Sequence, residues 1–271
     1  MDIIGNFFQD CLYEGIGLTS CSNCFITSNT LSGTDQHIGQ YGIAIRDSRE
    51  CTLSLNNVTV FGSAIDITDG QLHSIIDNYV GGSWGGIILR GNDTTISNNE
   101  IDATGYCIQL RNSFRNIIEL NDLHGSTFTN GIEVNGGGST LVTENTVVNP
   151  EFGMRLQGTT SLEVSNNIFL DCYVAITFEE LAYLGLEDGP SVNCRIVNNE
   201  LFGCGLRFSI TNVTGMNHEI AGNLIDGRPL AYLYDETNLQ IDGTQYGQII
   251  LADCEDVTIS GGVLDELLIM F

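Results

Sequence analysis

The sequence predicts an all-β solenoid on three observations: an asparagine phrase recurring at near-constant spacing, a glycine phrase interleaved with it, and a composition suited to short strands and tight turns. The first phrase is apolar-x-x-Asn-x-apolar, as in Ile26…Asn29…Leu31, Ile75…Asn78…Val80 and Ile96…Asn99…Ile101. Its asparagines are Asn6, Asn29, Asn56, Asn78, Asn99, Asn121, Asn145, Asn167, Asn199 and Asn223, with spacings of 23, 27, 22, 21, 22, 24, 22, 32 and 24 residues. A period near 22 is too short for a helix-pair repeat and suits one coil of stacked strands. The second phrase is a residue, then usually Gly, then Ile-x-Leu or a close relative: Glu14–Leu18, Tyr41–Ile45, Gly85–Leu89, Tyr106–Leu110, Asn130–Val134 and Phe152–Leu156. The 32 Gly and only 3 Pro accompany short runs of β-branched residues, as many short strands require.

Element by element, period-2 alternation turns the third and fifth residues of the glycine phrase inward and its second, fourth and sixth outward. Two strands per coil, with room for a short third, predict a single-stranded parallel β-helix of about 10–11 coils, 1–271 forming one domain. The recurring Asn is expected at the turn between strands, in the left-handed backbone region that Asn tolerates. There its amide would bond to the next coil and build an internal Asn ladder. At Ile259-Ser-Gly-Gly262-Val263, Gly262 takes the ladder position. Two coils run long, at 179–191 and after Asp226; insertions of this kind are extruded to one side of a solenoid, and the second equally fits an extra, irregular coil.

Charge excludes some partners. The chain carries 34 acidic and 9 basic residues, a net charge of −25, and every basic residue is Arg. So negative a surface opposes nucleic acid and anionic membranes. No apolar run is long enough to cross a membrane as a helix. The first residues show no signal peptide, and the apolar end Leu267–Phe271 would leave a solenoid uncapped; both point to a segment of a longer protein. An uncapped end also predicts end-to-end self-association. The nine cysteines recur in columns, Cys24 with Cys51 and Cys172 with Cys204, read as core stacks first and disulfides second.

These repeats resemble right-handed parallel β-helix proteins of the carbohydrate-binding and sugar-hydrolysis type. The run Asp226-Gly-Arg-Pro-Leu-Ala-Tyr-Leu233, followed by Tyr246–Ser260, resembles NosD-like surface and periplasmic proteins. The resemblance implies an exported or cell-surface protein whose partner is a polysaccharide or glycan. Its motif is structural, since one scaffold carries lyases, hydrolases, epimerases, tailspikes and non-enzymatic proteins. Asp35-Gln36-His37 is a poor match to the Asp-Pro-His segment of uronan epimerases. The copper of NosD relatives would require converging His, Met or Cys, whereas His37, His73, His124 and His218 fall in different coils. Neither a metal nor a cofactor is expected.

The candidate site is the outward face of the glycine-phrase strands. Arg46, Arg90 and Arg111 occupy its sixth position and Arg155 its fourth, among Asp66, Gln109 and Glu133. One reading pairs each Arg with Asp47, Asp66 or Glu133 as a solvated lattice. The other makes a polar groove in which guanidinium forks grip glycan carboxylates and hydroxyls, with Tyr41, Trp84 and Tyr106 either as stacking platforms or, equally, as stacked core or turn residues. For catalysis, Asp66 and Glu133 lie three coils apart, about 14 Å, too far for a glycosidase pair. Asp47 and Asp69, near Asp66 and His37, sit one coil apart and are the catalytic pair to test. Glu133 with Glu179 is a weaker second cluster. Binding or scaffolding is the first expectation; a hydrolase, lyase or epimerase is the alternative.

Overall fold

A computed structural model describes residues 1–34, 40–180, 190–209 and 217–261, with the backbone of the strand Leu267–Met270. The chain winds as a parallel β-helix of about 11 coils. Three strand columns run through it as far as Ala221. The first is a ten-stranded sheet from Asp2–Ile4 to Glu219–Ala221, paired throughout in parallel and in register, as in Ile75 with Ile96 and Ile96 with Ile118. The second holds the strands just after each ladder Asn, for example Val80 beside Ile101 and Ile101 beside Leu123. The third holds the glycine-phrase strands, with Ile87 beside Ile108 and Ile108 beside Ile132. Their inward side chains form one continuous core, in which Ile26, Leu53, Ile75, Ile96, Ile118, Val142, Val164 and Ile196 are fully buried.

The Asn ladder runs unbroken from Asn6 to Asn223. In each coil the Asn backbone N–H donates to the Oδ1 of the next Asn at 2.9–3.1 Å. Its Nδ2 reaches the same oxygen and also a carbonyl of the preceding coil, as Asn121 does to Ile96 O at 3.0 Å. The left-handed position is not the ladder Asn, as expected from sequence, but the residue before it: Ser28, Leu55, Asp77, Asn98, Leu120, Glu144, Asn166 and Asn198 have φ of 53–57°. The Asn is therefore selected for its inward amide, while the turn conformation falls on its neighbour.

A shorter second ladder lines the entry to the first sheet. Cys51 N donates to His73 Nδ1 at 3.2 Å, Thr94 N to Asn116 Oδ1 at 3.0 Å, and Cys194 N to His218 Nδ1 at 3.2 Å. Alternation in the third sheet also differs from expectation. Its second position faces inward, and a Cβ at Gly42 would collide with Val58 and Phe61. Only Gly, Ala or Cys stands there, and the outward side chains come from the first, fourth and sixth positions.

After Ala221 the architecture changes. Leu224–Ile225 pairs antiparallel with Arg228–Tyr234, which opens a smaller solenoid. Arg228–Tyr234, Gln248–Ala252 and Leu267–Met270 stack in one sheet, and Gln240–Asp242 with Thr258–Ser260 in another. Of the two readings of the stretch after Asp226, the strands take that of extra coils. Residues 181–189 and Gly262 lie outside the described residues.

Candidate functional site

On the third sheet the register aligns Asp66, Ile88, Gln109, Glu133, Arg155, Thr177 and Arg207 in the fourth-position column. Beside it runs the sixth-position column: Arg46 next to Thr68, Thr68 next to Arg90, and Arg111, Asn135, Gln157 and Glu179 in turn. Asp66 and Glu133 are three rungs apart in one column, so the sequence-derived separation of about 14 Å holds.

Three carboxylates on this face are sunk among donors. Asp66 is buried and accepts from Thr68 Oγ1 at 2.9 Å and Arg90 Nη1 at 3.2 Å. Arg90 therefore leans toward the preceding coil and away from Arg111. Glu133, also buried, accepts from Gln109 Nε2 and Asn135 Nδ2 at 2.6 Å each, and from Asn130 Nδ2. Glu179 accepts Arg155 at 2.6 Å, Gln157 at 3.2 Å and Arg207 at 3.6 Å. Because Arg155 also stands 3.9 Å from Glu133, one guanidinium links the two members of the second cluster. Arg46 pairs with Glu14 at 2.6 Å rather than with Asp47, and stacks over Tyr41 at 5.6 Å.

Arg111 differs from these arginines. Among the described residues no carboxylate lies within ion-pair distance of it. Two acceptors beside it are equally unoccupied. Gln109 and Asn135 spend their amide N–H groups on Glu133, which leaves Gln109 Oε1 and Asn135 Oδ1 buried and without a hydrogen-bond partner. Gln109 is only 3% exposed, so that orphaned oxygen is costly unless something occupies it.

Tyr106 closes one side of this patch. Its ring lies over Gly85, where an added Cβ would come within 2.6 Å of it. Burial pushes its phenol pKa up; a Ser63 hydrogen bond and Arg111 oppose this, while Asp66 and Glu133 add to it. At 4% exposure it takes the core reading rather than that of an open stacking platform; Trp84, at 42%, meets it edge-on at 4.9 Å and presents the accessible ring.

The expected catalytic residues lie at the end of the same strands. Asp47 and Asp69 follow the sixth position in adjacent coils and line an open groove of about 740 Å³ with Ser48, Arg49, Arg90 and Asn112. Both have positive φ, 49° and 54°, as has Asn112 at 47°. The turn therefore gives its own reason for a short polar residue there. His37 lies outside the described residues. Sequence reasoning missed Asn130 and Glu14 as the partner of Arg46, and left the burial of Tyr106 as one of two readings. The first-position column, Tyr41, Ser63, Gly85, Tyr106 and Asn130, held the signal: a Gly directly beside a Tyr makes room for its ring.

The sequence pattern described as "Right handed beta helix region" matches residues 14–169 and 85–261. The chain belongs to this family. That assigns the solenoid its right hand and bears out the fold read from the two phrases. No protein of curated function matches it in sequence. Among solved structures it is similar to an alginate lyase from Paenibacillus sp. str. FPU-7, at 12% identity and TM-score 0.63, over 99% of this chain and 90% of that one. It is similar to the mannuronan C-5 epimerase AlgE6 A-module of Azotobacter vinelandii, at 12% identity and TM-score 0.57, over 92% and 63%. A tailspike protein of E. coli bacteriophage HK620 in complex with hexasaccharide matches at 12% identity and TM-score 0.60, over 96% and 55%. The chain thus spans nine tenths of the first and between half and two thirds of the other two. At these identities the likeness is one of fold.

Proposed function

We propose that this β-helix binds a uronate-containing polysaccharide along the outward face of its third sheet, with Arg111 pairing to a sugar carboxylate. The observation that carries the reading is the unfilled set around Arg111: a guanidinium with no carboxylate among the described residues, flanked by the unpartnered oxygens of Gln109 and Asn135. A guanidinium takes a carboxylate in a forked pair, and the two oxygens take hydroxyl donors. A uronate offers both groups on one ring. Asp66, Glu133 and Glu179 are already held by Arg90, by three amides and by Arg155, so they oppose an anionic ligand less than their number suggests. Arg46, Arg90 and Arg155 then border the path, and Trp84 offers a ring to a sugar face. Fold neighbours acting on alginate support this substrate class. The NosD-like run at Asp226–Leu233 supports an exported or surface setting.

The test is calorimetric titration with mannuronate and guluronate oligomers against neutral oligosaccharides. Arg111→Ala should weaken uronate binding at least tenfold, a loss of about 1.4 kcal/mol. Arg195→Ala, on the first sheet between Glu163 and Glu219, should leave it unchanged. Equal binding by Arg111→Ala, or none by the wild type, would sink the proposal.

The groove beside Asp47 and Asp69 favours a second reading, a polysaccharide-active enzyme. Adjacent-coil carboxylates lie about 5 Å apart, the separation of a retaining glycosidase pair. Asp47→Asn with Asp69→Asn should then abolish new reducing or unsaturated ends while binding persists.

A further inference from the structure

The two longest coils of the ladder region are the two that carry stacked cysteine pairs. Asn29 to Asn56 spans 27 residues and Asn167 to Asn199 spans 32, where the others span 21–24. Cys24 and Cys51 are 27 residues apart and Cys172 and Cys204 are 32, so each pair sits at the two ends of one long coil. Cys24 and Cys51 immediately precede the paired residues Phe25 and Thr52, and Thr52 N donates to Cys24 O at 2.8 Å. Leu170 pairs with Phe202, and Cys172 and Cys204 follow each by two residues. In both pairs the thiols are buried, and the neighbouring coil's thiol is among the groups that push up the pKa of Cys51 and of Cys172. One strand spacing, about 4.8 Å, falls inside the Cα separation of about 4.4–6.8 Å that a disulfide requires. All nine cysteines are thiols in the structure.

We propose that Cys24–Cys51 and Cys172–Cys204 are paired oxidation sites that become inter-coil disulfides in an oxidising compartment and clamp the two long coils at their base. The physical reason for their position is chain entropy. A cross-link gains more when the loop it closes is longer, and an extended coil has the most freedom to lose. Cys21 and Ser22 line the groove beside Asp47, so the first clamp also fixes that groove's N-terminal wall. In each bridge one thiolate attacks oxidised glutathione and releases one reduced glutathione. The second thiol displaces the mixed disulfide and releases another. The S–S bond forms, both thiol protons leave on the two glutathiones, and glutathione disulfide takes up the two electrons.

The experiment refolds the full chain in a glutathione redox buffer, blocks remaining thiols in denaturant, and maps tryptic peptides by mass. Cleavage at Arg46 and Arg49 separates Cys24 from Cys51, and cleavage at Arg195 separates Cys172 from Cys204, so each bridge joins two peptides. The expected result is those two linkages and a melting temperature several degrees above that of the reduced protein. Cys51→Ala and Cys204→Ala should each remove one linkage and part of the gain while keeping the other. All nine thiols blocked after refolding would overturn the proposal. A Cys21–Cys24 bridge within one peptide, or unchanged melting on oxidation, would overturn it equally.

Discussion

The ladder coils and the C-terminal coils solve one problem in two ways. Up to Ala221 each coil carries three strands, and its turn presents an Asn that bonds to the coils on both sides. From Arg228 a coil is only 18 residues, since Leu230 pairs with Gln248, and it carries two strands. The ladder ends at Asn223, before these coils begin. The core shrinks as well: a small cluster of Ala231, Ile241, Ile249 and Leu251 replaces the long stack of fully buried Ile, Leu and Val. Between the regions stands Gln248, whose buried carboxamide accepts from Leu206 N at 2.9 Å and donates to Leu206 O at 2.8 Å. It completes the edge of the strand Leu206–Ser209 as a peptide group of a further coil would. A solenoid can thus change cross-section where a side chain replaces the missing rung.

This contrast can be broken at its strongest point first. Asn121→Ala removes an amide that makes five hydrogen bonds and leaves Asn99 N–H and the Ile96 and Glu119 carbonyls without it. Urea unfolding should show a loss of about 3–5 kcal/mol, from several buried groups orphaned together.

Acid should act next, at the seam. His218 is stacked near Phe178 and Phe208, and burial pushes its pKa down to about 4. Its Nδ1 accepts from Cys194 N, so the folded state holds it neutral. The unfolded chain binds a proton near pH 6.5 that the folded chain refuses until about 4. Stability is therefore fully present above about 6.5 and falls as pH drops through that window, by at most about 3 kcal/mol. Comparing urea midpoints at the two ends of the window, His218→Gln should reduce the decline; an identical slope would remove His218 from the account.

Gln248→Ala should cost about 2 kcal/mol through two lost buried bonds. Hydrogen exchange should speed at the Leu206 amide and across Gln248–Ala252, while the first sheet stays protected. The smallest effect belongs to Asn6→Ala, about 1 kcal/mol or less, because Asn6 is exposed and bonds on one side only. Asn6 and Asn121 carrying equal weight would deny that ladder strength comes from burial between two neighbours.

How much was legible in sequence follows from the same physics. The core columns and the ladder repeat in every coil, so each is written many times and a single copy is enough to find the others. The stacked Cys24 and Cys51 were visible for that reason. Ion pairing was legible only in part: Arg90 meets Asp66 and Arg155 stands near Glu133 as the adjacent-rung reading expects. Arg46 and Glu14, however, stand 32 residues apart in different columns, and their meeting depends on coil lengths. Whether Tyr106 was platform or core could not be read, because what makes room for its ring is an absence, the missing side chain of Gly85. The C-terminal change of cross-section carried only a weak trace, the loss of the ladder Asn after Asn223.

The left-handed residue ahead of each ladder Asn has a further meaning. Ser28, Leu55, Asp77, Asn98, Leu120 and Glu144 share one backbone shape and almost nothing chemically. The amide beside them holds the turn, so side-chain identity there is released from the fold. Along one edge of the molecule runs a strip of independently replaceable positions at intervals of about 4.8 Å. On that strip charge, apolarity or a reactive group can be written at a chosen height without disturbing the stack beneath.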